Sequence, residues 1–230
     1  MNCSILNCSA SCIRALDIAF LVDCSASPDE SAWNTTITAV YSLLAKFDVS
    51  ATGTRYSVIH YSDAAIRYPN TDGRMPSPVI IGRDDGQICG GGGHNVLSAL
   101  RKARREFFTT REYKHPWATG ERLAVPDVVV IIALGPSSDA GAAAVAVAEA
   151  DLLKADGTTI VTVGVGPGVN VAELAAISSN DTQADEFVVD EVGDLDGLIP
   201  ALVDAICGFS VEGMLKFLTG FYPLSESKHY

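Results

Sequence analysis

Basic residues are scarce. The 230-residue chain carries 16 Lys and Arg against 28 Asp and Glu, a formal net charge of −12. A surface so acidic argues against a nucleic-acid partner. Long apolar runs are missing too: none approaches the roughly 18 uninterrupted residues that a membrane span needs. Residues 1–12 lack the charged start and apolar stretch of a secretory leader, so such a leader is expected to be absent from this numbering. The usual catalytic signatures are also missing. There is no G-x-S-x-G and no P-loop. His60, His94, His115 and His229 are not spaced as zinc ligands. "GVGPG" (Gly164–Gly168) imitates part of a dinucleotide fingerprint but lacks its closing glycine and downstream acid, and reads as a tight turn. Ser25 and His94 could act as nucleophile and base only with an oxyanion donor and an orienting acid, neither of which is evident. The chain is therefore expected not to be an enzyme.

What is present describes a packed extracellular protein. Apolar residues make up 48% and charged residues 19%, a globular composition at a length that suffices for one large α/β domain. Six cysteines (Cys3, Cys8, Cys12, Cys24, Cys89, Cys207) include no C-x-x-C pair. Four N-x-S/T sequons fall at Asn2, Asn7, Asn34 and Asn180. An even cysteine count alongside four sequons points to a secreted, disulfide-bonded glycoprotein.

Charge is unevenly distributed. Asp139–Asp204 holds thirteen acidic residues and one base, whereas Arg101–Arg122 holds seven bases and three acids. Solvated faces are the plain reading of such runs. One basic and one acidic face on the same molecule is the sharper one.

Apolar runs and helical stripes alternate along the chain. "LDIAFLVD" (Leu16–Asp23) reads as a buried parallel strand. Trp33, Ile37, Val40, Tyr41, Leu44 and Phe47 then recur at helical spacing, behind an N-cap, first-turn proline and capping-box acid at Ser27, Pro28 and Glu30. "RYSVIHYS" reads as a strand with "AAIRYP" turning back against it, and "NVLSALRKARREFF" as a second helix. "DVVVIIAL" (Asp127–Leu134) is the most apolar run and is expected to be the central strand. Helix 140–154, strand 159–166, helix 171–178, strand "EFVVD" and helix 195–207 complete the series. The expected fold is a doubly wound, mostly parallel sheet with helices on both faces, whose ligands bind at the carboxyl ends of the strands. Asp23, Ser25 and Ser27 lie at that edge.

The segments "DIAFLVDCSAS", "RYSVIHYSD", "GGGGHNVLSALRKA", "PDVVVIIALG", "LLKADGTTIVTVGVG" and "DLDGLIPALVDAICG", in this order, resemble a von Willebrand factor type A (vWA) domain. The resemblance implies a domain over residues 13–208, a Cys-rich segment before it (1–12) and an apolar tail after it (209–230). It also implies a metal-ion-dependent adhesion site (MIDAS). There D-x-S-x-S, a threonine and an aspartate hold a divalent ion, usually Mg²⁺, that a ligand carboxylate completes. Asp23, Ser25 and Ser27 match. The threonine position reads His94, and the aspartate position reads Leu134. Mg²⁺ demands near-ideal oxygen geometry, so no cofactor is expected and the loop reads as the remnant of a metal site. His94 is then an ordinary loop histidine. The alternative keeps Mg²⁺ or another divalent cation at Asp23, Ser25 and Ser27, with Asp139 or a softer ion at His94 making up the set.

The resemblance places Cys24 beside Cys89 and Cys12 beside Cys207. It thereby implies two disulfides, with Cys3 and Cys8 paired locally or to another chain. Beyond Cys207, Val211, Met214, Leu215, Leu218 and Phe221 follow helical spacing as an apolar stripe. Uncovered, such a stripe is unstable in water. Together with the charge asymmetry it suggests head-to-tail self-association into a filament. The expected function is a non-catalytic extracellular module for protein–protein contacts, in a structural or adhesive self-assembling subunit. The alternative is a metal-dependent adhesion receptor domain for an acidic ligand.

Overall fold

The computed structural model describes residues 12–25, 30–50, 52–67, 92–108, 122, 125–137, 140–179 and 185–208. Six strands, β1 (Asp17–Asp23), β2 (Arg55–Tyr61), β3 (Ala65–Arg67), β4 (Asp127–Ala133), β5 (Thr159–Val165) and β6 (Glu186–Val189), form one sheet in the order β3-β2-β1-β4-β5-β6. Every pairing is parallel except β2 with β3. Five helices accompany them: α1 (Glu30–Leu44), α2 (Val96–Lys102), α3 (Ala140–Ala155), α4 (Val171–Ile177) and α5 (Leu195–Cys207).

Residue alternation sorts the core into two layers, as the two-residue period of a strand requires. Ile18, Phe20 and Val22 of β1, with Val128, Val130 and Ile132 of β4, face α1 and α5. Ala19 and Leu21, with Val129 and Ile131, face α2, α3 and α4. Strands β1 and β4 lie side by side at the middle of the sheet and are covered on both faces. This is why they read as unbroken apolar runs. The chain winds outward from β1 through β2, then returns across it to β4. The gap beyond the carboxyl ends of β1 and β4 is therefore the topological switch point.

Two elements differ from their periodicity. The stripe of α1 continues to Phe47, but the helix ends at Leu44. Phe47 is buried as a bridge partner of Cys12, whose N–H donates to the Lys46 carbonyl at 2.8 Å. Helix α2 passes into a wider π-helical turn (Ala103–Phe107) that buries Ala103 and Phe107. At the opposite edge from the switch point, a disulfide joins Cys12 to Cys207, with Cα atoms 6.2 Å apart. Gly208, at φ 65°, ends α5 in the left-handed conformation that glycine adopts without strain.

Much of the basic segment is used internally. Buried Glu149 of α3 binds Arg101 (3.3 Å) and Arg104 (2.7 Å), and Lys102 pairs with Glu106 (2.8 Å). Arg122 clamps the fully buried Asp17 at 2.8 Å and also donates to the carbonyls of Leu16 and Gly53. Burial raises the Asp17 carboxyl above its ordinary value, and Arg122 opposes that rise. Four of the seven bases in Arg101–Arg122 thus have acidic partners within the chain.

Candidate functional site

The switch point brings three loops together. The first leaves β1 with Asp23, Cys24 and Ser25. Cys24 N–H donates to the Tyr61 carbonyl (2.9 Å), which extends the β1–β2 pairing past the strand end. The second is 92–95, ahead of α2. Gly92 has φ 117°, and Gly93 N–H donates to Asp63 Oδ1 (2.6 Å). Asn95 donates from its backbone to Ser62 O and from Nδ2 to Asp63 O (2.9 Å each), then caps α2 by accepting from Ser98 N–H (3.0 Å). With both neighbours fixed, His94 is directed inward. The third loop leaves β4 at Leu134 and Gly135.

Asp23 is fully buried and is the hub of this arrangement. Its Oδ1 accepts from Ser25 N–H (2.9 Å) and from the Ser25 hydroxyl. Its Oδ2 accepts from Leu134 N–H (3.0 Å) and faces His94 Nδ1 at 2.6 Å. A nitrogen that close to a carboxylate oxygen must carry the proton between them, so Nδ1 is the protonated ring nitrogen. The same Nδ1 lies 2.5 Å from Ser25 Oγ. Ser25 donates its hydroxyl hydrogen to Asp23, and the single Nδ1 hydrogen is shared between Asp23 Oδ2 and Ser25 Oγ, so the three side chains form one cluster. His94 is thus not the bystander expected from the sequence. The other side of its imidazole lies against Gly135, where a Cβ would come within 2.5 Å of Cε1.

This geometry bears on two chemical questions. A serine–histidine–carboxylate relay uses one ring nitrogen for the serine and the other for the acid. Here both partners meet Nδ1, so Asp23 cannot orient one ring nitrogen while the other acts as base toward Ser25. The metal question turns on donors. Four hydrogen-bond donors already surround the Asp23 carboxyl, and the imidazole nitrogen contacts both Asp23 Oδ2 and Ser25 Oγ. Leu134 contributes only its backbone. Among the described residues, no group of three or more His, Cys, Asp or Glu side chains is placed to hold a metal ion. The side-chain oxygens that the described residues place here, those of Asp23 and Ser25, do not by themselves make an octahedral shell for Mg²⁺.

Beside His94 lies a cavity of about 10 Å³, room for roughly one water, lined in part by Tyr61, Ser137, Asn170 and Glu173. Glu173 is buried and accepts from the backbone and hydroxyl of Ser137. Burial, then the nearby charges of Asp23 and Glu173, push the Tyr61 phenol well above its ordinary value and keep it a neutral donor. Sequence reasoning missed Tyr61, Gly135, Ser137 and Glu173, because each belongs to a strand, turn or helix with an ordinary pattern.

Ser27 lies outside the described residues, as do Asp139, Cys3, Cys8, Cys89, Asn2, Asn7, Asn180, Val211, Met214, Leu215, Leu218 and Phe221. Cys24 is disulfide-bonded, and its partner is likewise outside them. Asn34 is exposed on α1.

The sequence model of the von Willebrand factor type A domain matches residues 17–201. The chain belongs to this family. The human collagen alpha-6(VI) chain is 27% identical over 202 residues, 86% of this chain, and the mouse chain is 26% identical over the same length. The match spans only 8% of the length of either relative. Among solved structures, proximal thread matrix protein 1 from the mussel byssus superposes with a TM-score of 0.65 at 22% identity. The match covers 86% of this chain and 47% of that one. A form of that protein with a zinc-occupied MIDAS motif gives 0.64. A von Willebrand factor type A protein from Catenulispora acidiphila gives 0.58 at 14% identity, covering 85% and 43% of the two chains. At these identities the structural matches establish the vWA fold alone. No helix among the described residues is long and apolar enough to cross a membrane.

Proposed function

We propose that this vWA domain is an extracellular, non-catalytic module that makes protein–protein contacts as a structural or adhesive subunit and assembles with copies of itself. The observation that carries the non-catalytic part is the meeting of Asp23 and Ser25 at one nitrogen of His94. The extracellular part is supported by relatives named as collagen chains and by a structural neighbour named as a thread matrix protein. The cysteines and sequons agree with it. In this reading Cys24 pairs with Cys89, and Asn2, Asn7, Asn34 and Asn180 are the glycan acceptors. The apolar stripe Val211, Met214, Leu215, Leu218 and Phe221 supplies the self-contact. With Arg101, Lys102, Arg104 and Arg122 engaged inside the chain, apolar burial rather than charge complementarity provides the affinity.

Sedimentation velocity on the full chain and on a chain lacking residues 210–230 tests the assembly. Concentration-dependent association of the full chain, lost on truncation, is the expected result. Two monomers at high concentration and low salt would defeat it.

The second reading is a metal-dependent adhesion receptor domain for an acidic ligand. It is favoured by the D-x-S-x-S spacing, which places Asp23 and Ser25 side by side at the switch point. It requires His94 to leave its seat.

A further inference from the structure

We infer that His94 is the built-in occupant of the cation position: its imidazole takes the place of a divalent ion and joins the three switch-point loops. The inference deepens the non-catalytic, metal-free reading above and rests on it. A cation at this position would draw a strand-end carboxylate and a neighbouring hydroxyl onto one centre, and would tie the β1 loop to the loops before α2 and after β4. His94 Nδ1 makes both contacts, to Asp23 Oδ2 at 2.6 Å and Ser25 Oγ at 2.5 Å. The ring comes from the loop before α2, which Asp63 holds through Gly93 and Asn95. The loop after β4 closes the set through Leu134 N–H on the same Asp23 oxygen.

Three further features suit an occupant rather than a passing side chain. Asp23 is fully buried, and the His94 side chain is only 21% exposed. A buried carboxylate without donors is costly, and here it has four. Gly135 leaves open the space the ring fills: its Cβ would meet Nε2, Cε1 and Cδ2. The residue that replaces the family's aspartate, Leu134, offers no side-chain oxygen to compete for an ion. Among the described residues the site therefore presents no open coordination position, and a partner carboxylate has no ion there to complete.

The test uses Mn²⁺ alone as the probe, with no protein partner, so that it stands apart from the question of self-assembly. Calorimetric titration of the full wild-type chain is expected to show no saturable binding in the millimolar range. A chain carrying His94→Thr and Leu134→Asp, which restores two oxygen ligands, is expected to bind at least about 100-fold more tightly, a gain of about 2.7 kcal/mol. Adding Asp23→Ala to that chain is expected to abolish the gain. Saturable wild-type binding that Asp23→Ala removes would overturn the inference. So would a folded His94→Thr, Leu134→Asp chain that binds no better than wild type.

Should the variant not fold, ¹⁵N-resolved NMR of the wild-type ring decides. Protonated, hydrogen-bonded Nδ1, unmoved by Mg²⁺ or by a chelator, supports the inference. An unbonded ring, or one displaced by Mg²⁺, overturns it.

Discussion

Gly135→Ala is the sharpest small perturbation of the site. Gly135 is not among the positive-φ glycines, so alanine suits its backbone. Such a change ordinarily stabilises by about 0.4–1 kcal/mol through the unfolded chain. Here the new methyl would stand within 2.5 Å of His94 Cε1. Either the ring stays and is overpacked, at about 1–3 kcal/mol, or it yields and loses its hydrogen bond to Asp23, at about 1.5–3 kcal/mol. The net expectation is a loss of about 1–2 kcal/mol. Urea unfolding of four proteins separates this from a generic effect: wild type, Gly135→Ala, His94→Ala and the double variant. Once the imidazole is gone, Gly135→Ala is expected to be neutral or stabilising, which gives a coupling of at least about 1 kcal/mol. Equal cost in both backgrounds would refute the contact between ring and glycine.

Other consequences concern stability. Arg122→Met strands the buried Asp17 carboxylate and is expected to cost about 3–5 kcal/mol at neutral pH. A carboxyl whose folded value lies above its unfolded one favours the fold below the unfolded value, and that contribution is lost as pH rises. Losing Arg122 raises Asp17 further, so urea midpoints should separate less in acid than at pH 7. His60 packs edge-on against Trp33, with ring centroids 4.6 Å apart, and burial lowers it from 6.5 to about 4. Its neutral form favours the fold above pH 6.5, and that contribution falls away as pH drops through about 4. The amount is about 3 kcal/mol, and pH-dependent unfolding of His60→Phe should lack it. Replacing Cys12 and Cys207 by serine opens a link between residues 195 apart in sequence. The chain-entropy account puts that loss at about 5 kcal/mol, readable by thermal unfolding.

The fold was legible because β1 and β4 are apolar on both faces and the intervening helices carry stripes. Pattern alone therefore carries the alternation and the carboxyl edge of the sheet, whereas the strand order that makes the switch point comes from the structure. Asp23 and Ser25 were legible because their spacing places them at a strand end. His94 was not, since residue type says only that threonine is missing, whereas its role depends on where the ring lands. That position depends on Asp63 holding the neighbouring backbone and on a gap at Gly135, both distant in sequence. The same limit hid Arg122–Asp17 and Glu149 with its two arginines. These pairs lie 105 residues apart in the first case and 48 and 45 in the second. Phe47 shows the converse: a periodic apolar residue stays buried after its helix has ended.

Whether the chain's own imidazole fills the switch point can be read from anomalous diffraction of crystals soaked in millimolar Mn²⁺. The expected map has His94 seated against Asp23, Ser25 and Gly135, with no anomalous peak at Asp23. A peak coordinated by Asp23 and Ser25, with the His94 ring swung out, would contradict it.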